Sequence, residues 1–187
     1  MRKLTVFNFV SLNGYFKGLN GDISWAKRGD EEENKFAIEN AKKQHLLLFG
    51  RITYQMMAGF WPSPMALQHN PVMAAEINKA EKIVFSRTLD KADWGPTTII
   101  KNNMIEEVRK LKQQPGKDMT VLGSGSIITQ LANTGLIDEY SLSIHPVAIG
   151  DGTSLLKGIV GRLNLELVST QAFKSGVITL NYRVAHD

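Results

Sequence analysis

The feature that most constrains the fold of this chain is a series of short apolar runs. Each run ends in a small or polar corner, and a segment of helical character follows most of them. Runs of four to nine residues bounded by such corners are typical of buried strands. They lie at 2–10, 45–49, 82–85, 97–100 and 119–122, with helical segments at 30–43, 51–57, 73–79, 102–113 and 127–133. This alternation predicts a mostly parallel sheet covered by helices on both faces.

The alternation of strands and helices stops after Gly135. Three strands without intervening helices are predicted at 139–145, 163–173 and 177–184. Lys174-Ser175-Gly176 joins the last two and is typical of a hairpin turn. We therefore expect antiparallel strands at the C-terminal end of the sheet. The remaining connections are predicted to be irregular, with a long loop over 11–21 and an aromatic connection over 60–64.

Composition excludes several classes of chemistry. The 187 residues suit one domain, and the lack of cysteine removes disulfides, thiolate metal sites and cysteine nucleophiles. The histidines show no HxxxH or HExxH spacing, so no metal site is predicted. No apolar run suits a membrane span or a signal peptide, which favours a cytoplasmic protein without a membrane partner. The pI near 9.3 favours anionic ligands, but the cations are interleaved with acids, so we predict no nucleic-acid partner.

Three corners of the predicted sheet combine residues that suit phosphate. At 123–127, Gly-Ser-Gly-Ser-Ile joins a strand to a helix, where glycines allow close approach and free N–H groups attract anions. Gly50, Arg51 and Thr53 open another helix, and Ser86-Arg87-Thr88 follows a third strand. Each corner alone is also explained by a structural turn. Together, on the carboxyl edge of a parallel sheet, they predict a site for a dinucleotide.

Two of these corners carry an arginine, and this bears on which dinucleotide the site prefers. Arg51 and Arg87 together suit a 2′-phosphate, which favours NADPH over NADH, although Asp90 is close in sequence. The loop after Ser11 could close over the same edge as a lid. Hydride transfer requires positioning and exclusion of water more than a protein nucleophile. Aromatic side chains could wall such a pocket, although core packing explains each of them as well: Trp25, Phe36, Tyr54 and Trp61.

These motifs, in this order, resemble those of the dihydrofolate reductase-like superfamily. The closer resemblance is to the reductase domain of riboflavin biosynthesis and its stand-alone relatives. The matching elements span almost the whole chain: Ser11-Leu12-Asn13-Gly14-Tyr15, Gly50-Arg51-x-Thr53-Tyr54, Phe85-Ser86-Arg87-Thr88, Gly123-Ser124-Gly125-Ser126 and His145-Pro146-x-x-x-Gly150-x-Gly152. The resemblance implies a three-layer α/β/α fold with a twisted, mostly parallel sheet, and NADPH as hydride donor.

The resemblance also implies the roles of individual residues. Asn13 stands where relatives usually carry aspartate, and Asn13 and Glu32 are the candidate catalytic residues. Glu31, Glu33 and Glu39 compete with Glu32 for the position of a helix carboxylate. The candidate cofactor contacts are Ser11, Gly14, Gly50, Arg51, Thr53, Ser86, Arg87, Thr88, Gly123, Ser124, Gly125, Ser126 and Ile127. The candidate substrate contacts are Trp25, Trp61 and Pro146.

The expected function is the NADPH-dependent reduction of a pyrimidine- or pteridine-like heterocycle, in a homodimer. The reaction would resemble that of 5-amino-6-(5-phosphoribosylamino)uracil reductase. Within enzymes, the alternative is dihydrofolate reduction, which needs a buried carboxylate in the pocket. Outside enzymes, the alternative is a module that binds NADPH without turnover. Because a shared fold does not establish a shared reaction, the sequence alone leaves the substrate open.

Overall fold

The computed structural model of the protein describes residues 1–26 and 30–185. Its strands are β1 (Leu4–Ser11), β2 (Tyr15–Gly18), β3 (Leu46–Gly50), β4 (Lys82–Phe85), β5 (Thr97–Ile100), β6 (Met119–Leu122), β7 (Glu139–His145), β8 (Gly152–Ser154), β9 (Leu165–Ala172) and β10 (Ile178–Val184). Its α-helices are α1 (Glu31–Lys42), α2 (Arg51–Phe60), α3 (Pro64–His69), α4 (Pro71–Lys79), α5 (Met104–Gln113) and α6 (Gly125–Ala132).

Eight of the strands form one sheet in the order β5-β4-β3-β6-β1-β7-β10-β9. The six strands from β5 to β7 are parallel. β10 is antiparallel to β7 and to β9, with a hairpin at 174–176 between β9 and β10. The predicted α/β fold with a mostly parallel sheet and antiparallel C-terminal strands is therefore confirmed.

The side chains of β3 show that helices cover both faces of the sheet. Leu46 and Leu48 pack into one core cluster, whereas Leu47 and Phe49 pack into another. Successive residues of a strand point to opposite faces. The first cluster contains residues of α5 and α6, and the second contains residues of α1, α2 and α4. A buried strand of this kind has no polar face, and its sequence is a continuous apolar run.

Two elements differ from the sequence prediction because their signals are weak. The 60–64 connection was expected to be irregular throughout, but α3 begins at Pro64, with Ser63 Oγ accepting a hydrogen bond from the backbone of Ala66 at 3.3 Å. Within the predicted 11–21 loop, β2 forms a small antiparallel sheet with β8. That pairing joins segments far apart in sequence, and neither has a long apolar run.

Helix starts also differ in detail from the prediction. α5 begins at Met104, two residues after the start of the predicted segment, and Asn103 at its N-cap is left-handed with no side-chain capping bond. α6 begins at Gly125, two residues earlier than predicted. Gly135, with φ +67°, follows the end of α6 as expected. No helix in residues 1–26 or 30–185 is long and apolar enough to cross a membrane.

Candidate functional site

The carboxyl ends of β4, β3 and β6 lie side by side, because these strands are neighbours in the parallel part of the sheet. Gly50 at the end of β3 pairs with Phe85 at the end of β4. The three predicted phosphate corners therefore share one edge. All the residues predicted at these corners line one cleft of about 1540 Å³: Gly50, Arg51, Thr53, Ser86, Arg87, Thr88, Gly123, Ser124, Gly125, Ser126 and Ile127.

The corners after β3 and β6 are joined by hydrogen bonds through Ser124. The backbone N–H of Gly50 donates to Ser124 Oγ at 2.7 Å, and Ser124 Oγ donates to Thr53 Oγ1 at 3.0 Å. A Cβ on Gly123, which has φ +61°, would lie 3.0 Å from Thr53 Cγ2. Glycine is thus required where the two corners meet. The hydroxyl of Ser124, a candidate cofactor contact, is engaged in holding the corners together.

The N-terminus of α6 opens onto the same cleft. Its first N–H groups, beginning with Gly125 and Ser126, have no acceptor within the helix. A Cβ on Gly125 would lie 2.9 Å from the ring of Phe16 on β2, so the small sheet packs directly on this helix start. Sequence analysis did not include Phe16 in the site. The sequence could not reveal this contact, because Phe16 packs on the start of α6, which lies more than a hundred residues away along the chain.

At the corner after β4, one side chain stabilises the turn and two are exposed to solvent. Ser86 Oγ accepts hydrogen bonds from the backbone N–H groups of Thr88 and Leu89, at 3.2 and 3.0 Å, and so stabilises the turn. Arg87 and Thr88 are exposed. Arg51 is also exposed, and its Nη1 donates to Gln55 Oε1 at 2.9 Å. The cleft wall therefore carries two accessible guanidinium groups on adjacent strand ends.

Glu33, and not Glu32, is the carboxylate of α1 that lines the cleft. Glu33 is 4% exposed, and its Oε2 accepts a hydrogen bond from Ser175 Oγ at 3.2 Å. Glu32 is exposed outside the cleft, where its carboxylate accepts a hydrogen bond from Gln171. The rotation of α1 therefore turns Glu33 toward the cleft and Glu32 away from it, and the catalytic role of Glu32 stays a prediction.

The cap of α1 fixes this rotation. Asp30 Oδ1 accepts a hydrogen bond from the backbone N–H of Glu33 at 2.7 Å, and Asp30 Oδ2 accepts one from the N–H of Ser175 at 2.8 Å. The bond from Glu33 is the main reason that the pKa of Asp30 lies below its usual range. Asp30 and Ser175 therefore connect α1 to the hairpin between β9 and β10, next to Glu33.

The turn after β1 lies beside the cleft and not in its lining. Ser11 Oγ donates to Asn13 Oδ1 at 2.9 Å and accepts from the N–H of Tyr15. Asn13 Nδ2 donates to the carbonyl of Ile149 at 2.8 Å, and its Oδ1 accepts from the N–H of Ile149. The Asn13 side chain thus ties this turn to the segment after β7. The cofactor roles of Ser11 and Gly14 and the catalytic role of Asn13 stay predictions.

The predicted aromatic wall is only partly in the cleft. Trp61 and Phe36 line it, whereas Tyr54 is buried in the core and accepts a hydrogen bond from the backbone of Trp94. Trp25 is outside the lining, with its ring 5.7 Å from that of His145. Pro146 is exposed, also outside the lining. The substrate contacts predicted for these residues stay untested, and the structure adds two rings of β1, Phe7 and Phe9, to the lining.

Away from the carboxyl edge, the cleft continues along the face of the sheet beneath α1. His45 Nδ1 lies 2.8 Å from Thr120 Oγ1 at this end. Burial lowers the pKa of His45 from its usual value, so the ring is neutral near pH 7. Charged side chains also line the cleft here, namely Lys43, Glu76 and Glu139.

Comparison with known proteins identifies relatives that cover nearly the whole chain. Residues 2–179 match the family model of the RibD C-terminal domain. The uncharacterised protein YyaP of Bacillus subtilis (strain 168) is 33% identical over 181 residues, which cover 97% of this chain and 94% of that protein. YwjB of the same organism, also uncharacterised, is 22% identical over 178 residues, covering 94% and 95%.

Solved structures share the fold at low sequence identity. A riboflavin biosynthesis protein from a Shewanella species superimposes with a TM-score of 0.74 at 19% identity, over 98% of this chain and 99% of the other. A diaminohydroxyphosphoribosylaminopyrimidine deaminase/5-amino-6-(5-phosphoribosylamino)uracil reductase from Thermotoga maritima superimposes with a TM-score of 0.68 at 14% identity. The match covers 98% of this chain but 57% of that larger protein.

Proposed function

Because the chain belongs to the RibD C-terminal domain family, we propose that it is an NADPH-dependent reductase of a pyrimidine- or pteridine-like heterocycle. The observation that carries this proposal is the joining of two glycine corners through Ser124 on the edge that also carries Arg51 and Arg87. Family membership supports a reductase, and the geometry of this edge supports a cofactor with several phosphates.

The residues of the edge fit a dinucleotide. The free N–H groups at the start of α6 and the dipole of this helix suit the pyrophosphate. Glycine at 123 and 125 lets Thr53 and Phe16 pack closely against this turn. Arg51 and Arg87 are accessible and rigidly forked, which suits a terminal phosphate on the adenosine ribose. Bound NADPH would supply the hydride, and the residues of the chain bind, orient and exclude water.

We place the substrate, and the group that protonates it, in the part of the cleft beneath α1. Reduction of a C=N bond adds one hydride to carbon and one proton to nitrogen. Glu33 is the buried carboxylate that faces this region, beside Phe36 and close to the sheet. We assign Glu33 the role of holding a proton near the substrate nitrogen, in place of Glu32. Proton transfer by a positioned carboxyl group is general acid catalysis.

The test is NADPH oxidation by the purified protein with three substrates. These are 5-amino-6-(5-phosphoribosylamino)uracil, the same compound without phosphate, and dihydrofolate. We expect NADPH to be oxidised in the presence of a uracil compound, and the reduced form of that compound to appear. Faster turnover of dihydrofolate would favour the alternative enzyme. Tight NADPH binding without oxidation by any of the three would favour a non-catalytic module and contradict the proposal.

We also propose that the protein is a cytoplasmic homodimer. β9 is an edge strand, and apolar side chains on β9 and β10 are open to solvent. Leu167 is 56%, Val168 61% and Ile178 41% exposed. Apolar patches of this kind and free strand edges favour association. Light scattering of the wild type should give twice the chain mass, and Leu167→Lys should shift it toward the monomer.

A further inference from the structure

The face of the sheet beneath α1 carries polar side chains where apolar ones are usual. Ser141 and Ser143 on β7 lie beside Asn181 and Thr179 on β10, respectively, and cross-strand partners share a face. All four line the cleft, and we call them the polar stripe. A sheet face covered by a helix normally packs apolar residues against it. Here the cleft separates this face from α1.

Two hydroxyls of the polar stripe are buried and face the cleft. Ser143 is 3% and Thr179 2% exposed. Within residues 1–26 and 30–185, neither side chain makes a hydrogen bond to another group. Asn181 Nδ2 donates to Ser169 Oγ at 3.0 Å, which leaves its carbonyl oxygen to accept. Buried polar groups are normally hydrogen-bonded, so these groups are suited to pair with a ligand.

The polar stripe is continuous with the proposed substrate site. The β-sheet register places Phe9 of β1 beside Ser143, and Phe7 beside Ser141. Two rows of side chains thus run across the strands, about 7 Å apart along them. A substrate whose planar ring lies against Phe7 and Phe9 can therefore extend a chain of several carbons over the polar stripe.

Charges in this part of the cleft disfavour a phosphate. No lysine or arginine is among the described lining residues of β1, β7, β10 and α1, and the charged ones are Glu33 and Glu139, which pairs with Lys3 at 2.6 Å. Lys43 also lines the cleft, but it precedes β3, on the far side of β6 and β1 from the stripe. Arg51 follows β3, which is separated from β7 by β6 and β1, or by about 14 Å. An arginine that holds the cofactor at the edge cannot also contact a group on the stripe.

We propose that the polar stripe binds an uncharged, polyhydroxylated chain on the substrate, a glycosyl or alditol group without phosphate. This inference rests on the proposed reductase function and specifies its substrate class. Hydroxyls of serine and threonine and the amide of asparagine can each donate and accept, as the hydroxyls of such a chain require. The ring of the substrate lies toward Phe9 and Glu33.

The test is calorimetric binding to protein saturated with NADP⁺. The probes are 5-amino-6-(ribitylamino)uracil, its 5′-phosphate and 5,6-diaminouracil, which has no chain. Wild type should bind the ribityl compound roughly 10-fold more tightly than either of the other two, as one to two hydrogen bonds provide. Thr179→Val and Ser143→Ala should abolish this preference without changing the affinity for 5,6-diaminouracil.

The control is Thr170→Val on β9, which is exposed and pairs with Leu180, on the opposite face from the stripe. It should retain the preference. Ser143→Ala removes only one oxygen, so it serves if Thr179→Val does not fold. Tighter binding of the phosphate, or equal binding of the chain-free compound, would overturn the inference. NADPH oxidation is measured separately. A wild type that turns over substrate but shows no preference for the ribityl compound would therefore contradict this inference alone.

Discussion

Ser124 Oγ lies 3.0 Å from Thr53 Oγ1 and thereby joins the turn after β6 to the first turn of α2. The same oxygen accepts the N–H of Gly50. Two segments 71 residues apart are thus held at the cofactor edge by one hydroxyl. This contact explains why the glycine corners point into one cleft, as the proposed function requires.

Ser124→Ala should weaken both the fold and the cofactor site. Loss of the acceptor leaves the Gly50 N–H without its partner, and we expect a loss of about 1–2 kcal/mol in the free energy of unfolding. NADPH affinity should fall by about 10-fold, because the corners are less well positioned. Urea unfolding and calorimetry measure the two effects. Thr53→Val should behave similarly, and Thr53→Ser, which keeps the hydroxyl, should not.

Gly123→Ala should destabilise the protein through its backbone. Gly123 has φ +61°, and the added Cβ would lie 3.0 Å from Thr53 Cγ2. We expect a loss of roughly 1–3 kcal/mol in the free energy of unfolding. Gly59→Ala is the matched control, since Gly59 lies within α2 and its Cβ would meet nothing within 4 Å. That variant should be slightly stabilised; equal loss in both would contradict the account.

Glu33→Gln should lower kcat by roughly 100-fold while the fold is retained, because the amide cannot supply the proton. Glu32→Gln should change kcat by less than about 3-fold, since the Glu32 side chain is exposed outside the cleft. Steady-state NADPH oxidation with the preferred substrate measures both. A large loss in Glu32→Gln with Glu33→Gln active would restore the sequence-based assignment.

The stability of the protein should rise between pH 7.5 and 9.5 because of Lys82. Its side chain is buried above the ring of Trp94, and burial lowers its pKa to about 8. An unfolded lysine keeps its proton to about pH 10.4, so the unfolded chain binds more protons in this interval. The free energy of unfolding should therefore increase by roughly 2 kcal/mol across it.

Lys82→Met removes this titration, so its unfolding free energy should lack that increase. Urea unfolding at several pH values compares the two proteins. The interval ends at pH 9.5 because Tyr140 has the opposite effect at higher pH. Burial raises the pKa of Tyr140 to about 12, so its ionisation favours the unfolded chain above pH 10. Equal slopes in both proteins would show that Lys82 is not responsible.

Much of the fold follows from local sequence. The apolar run at 45–49 and the glycine after it predict β3 closely, because a strand buried on both faces needs no alternation. The edge site was also predictable, since parallel strands place their ends together. β2 was not predictable, because its partner β8 is distant in sequence. α3 has start signals in Ser63 and Pro64, but the neighbouring aromatic residues obscured them.

The choice between neighbouring side chains was beyond the sequence. Glu32 and Glu33 lie on the same helical turn, and the rotation of α1 depends on Asp30 and on Ser175, a residue of the distant hairpin. The polar residues of β7 and β10 were similarly uninformative until their register with Phe7 and Phe9 was known. Tertiary packing decides such positions, and local pattern does not.

The most direct test of the central claim is titration with NADPH and NADH while tryptophan fluorescence is followed. Arg51→Ala combined with Arg87→Ala should weaken NADPH binding by roughly 10- to 100-fold and leave NADH binding within about 3-fold. Arg109→Ala, which removes an exposed arginine paired with Glu106 on α5, should change neither. Equal weakening of both nucleotides, or no NADPH binding by the wild type, would contradict the assignment of this edge to NADPH.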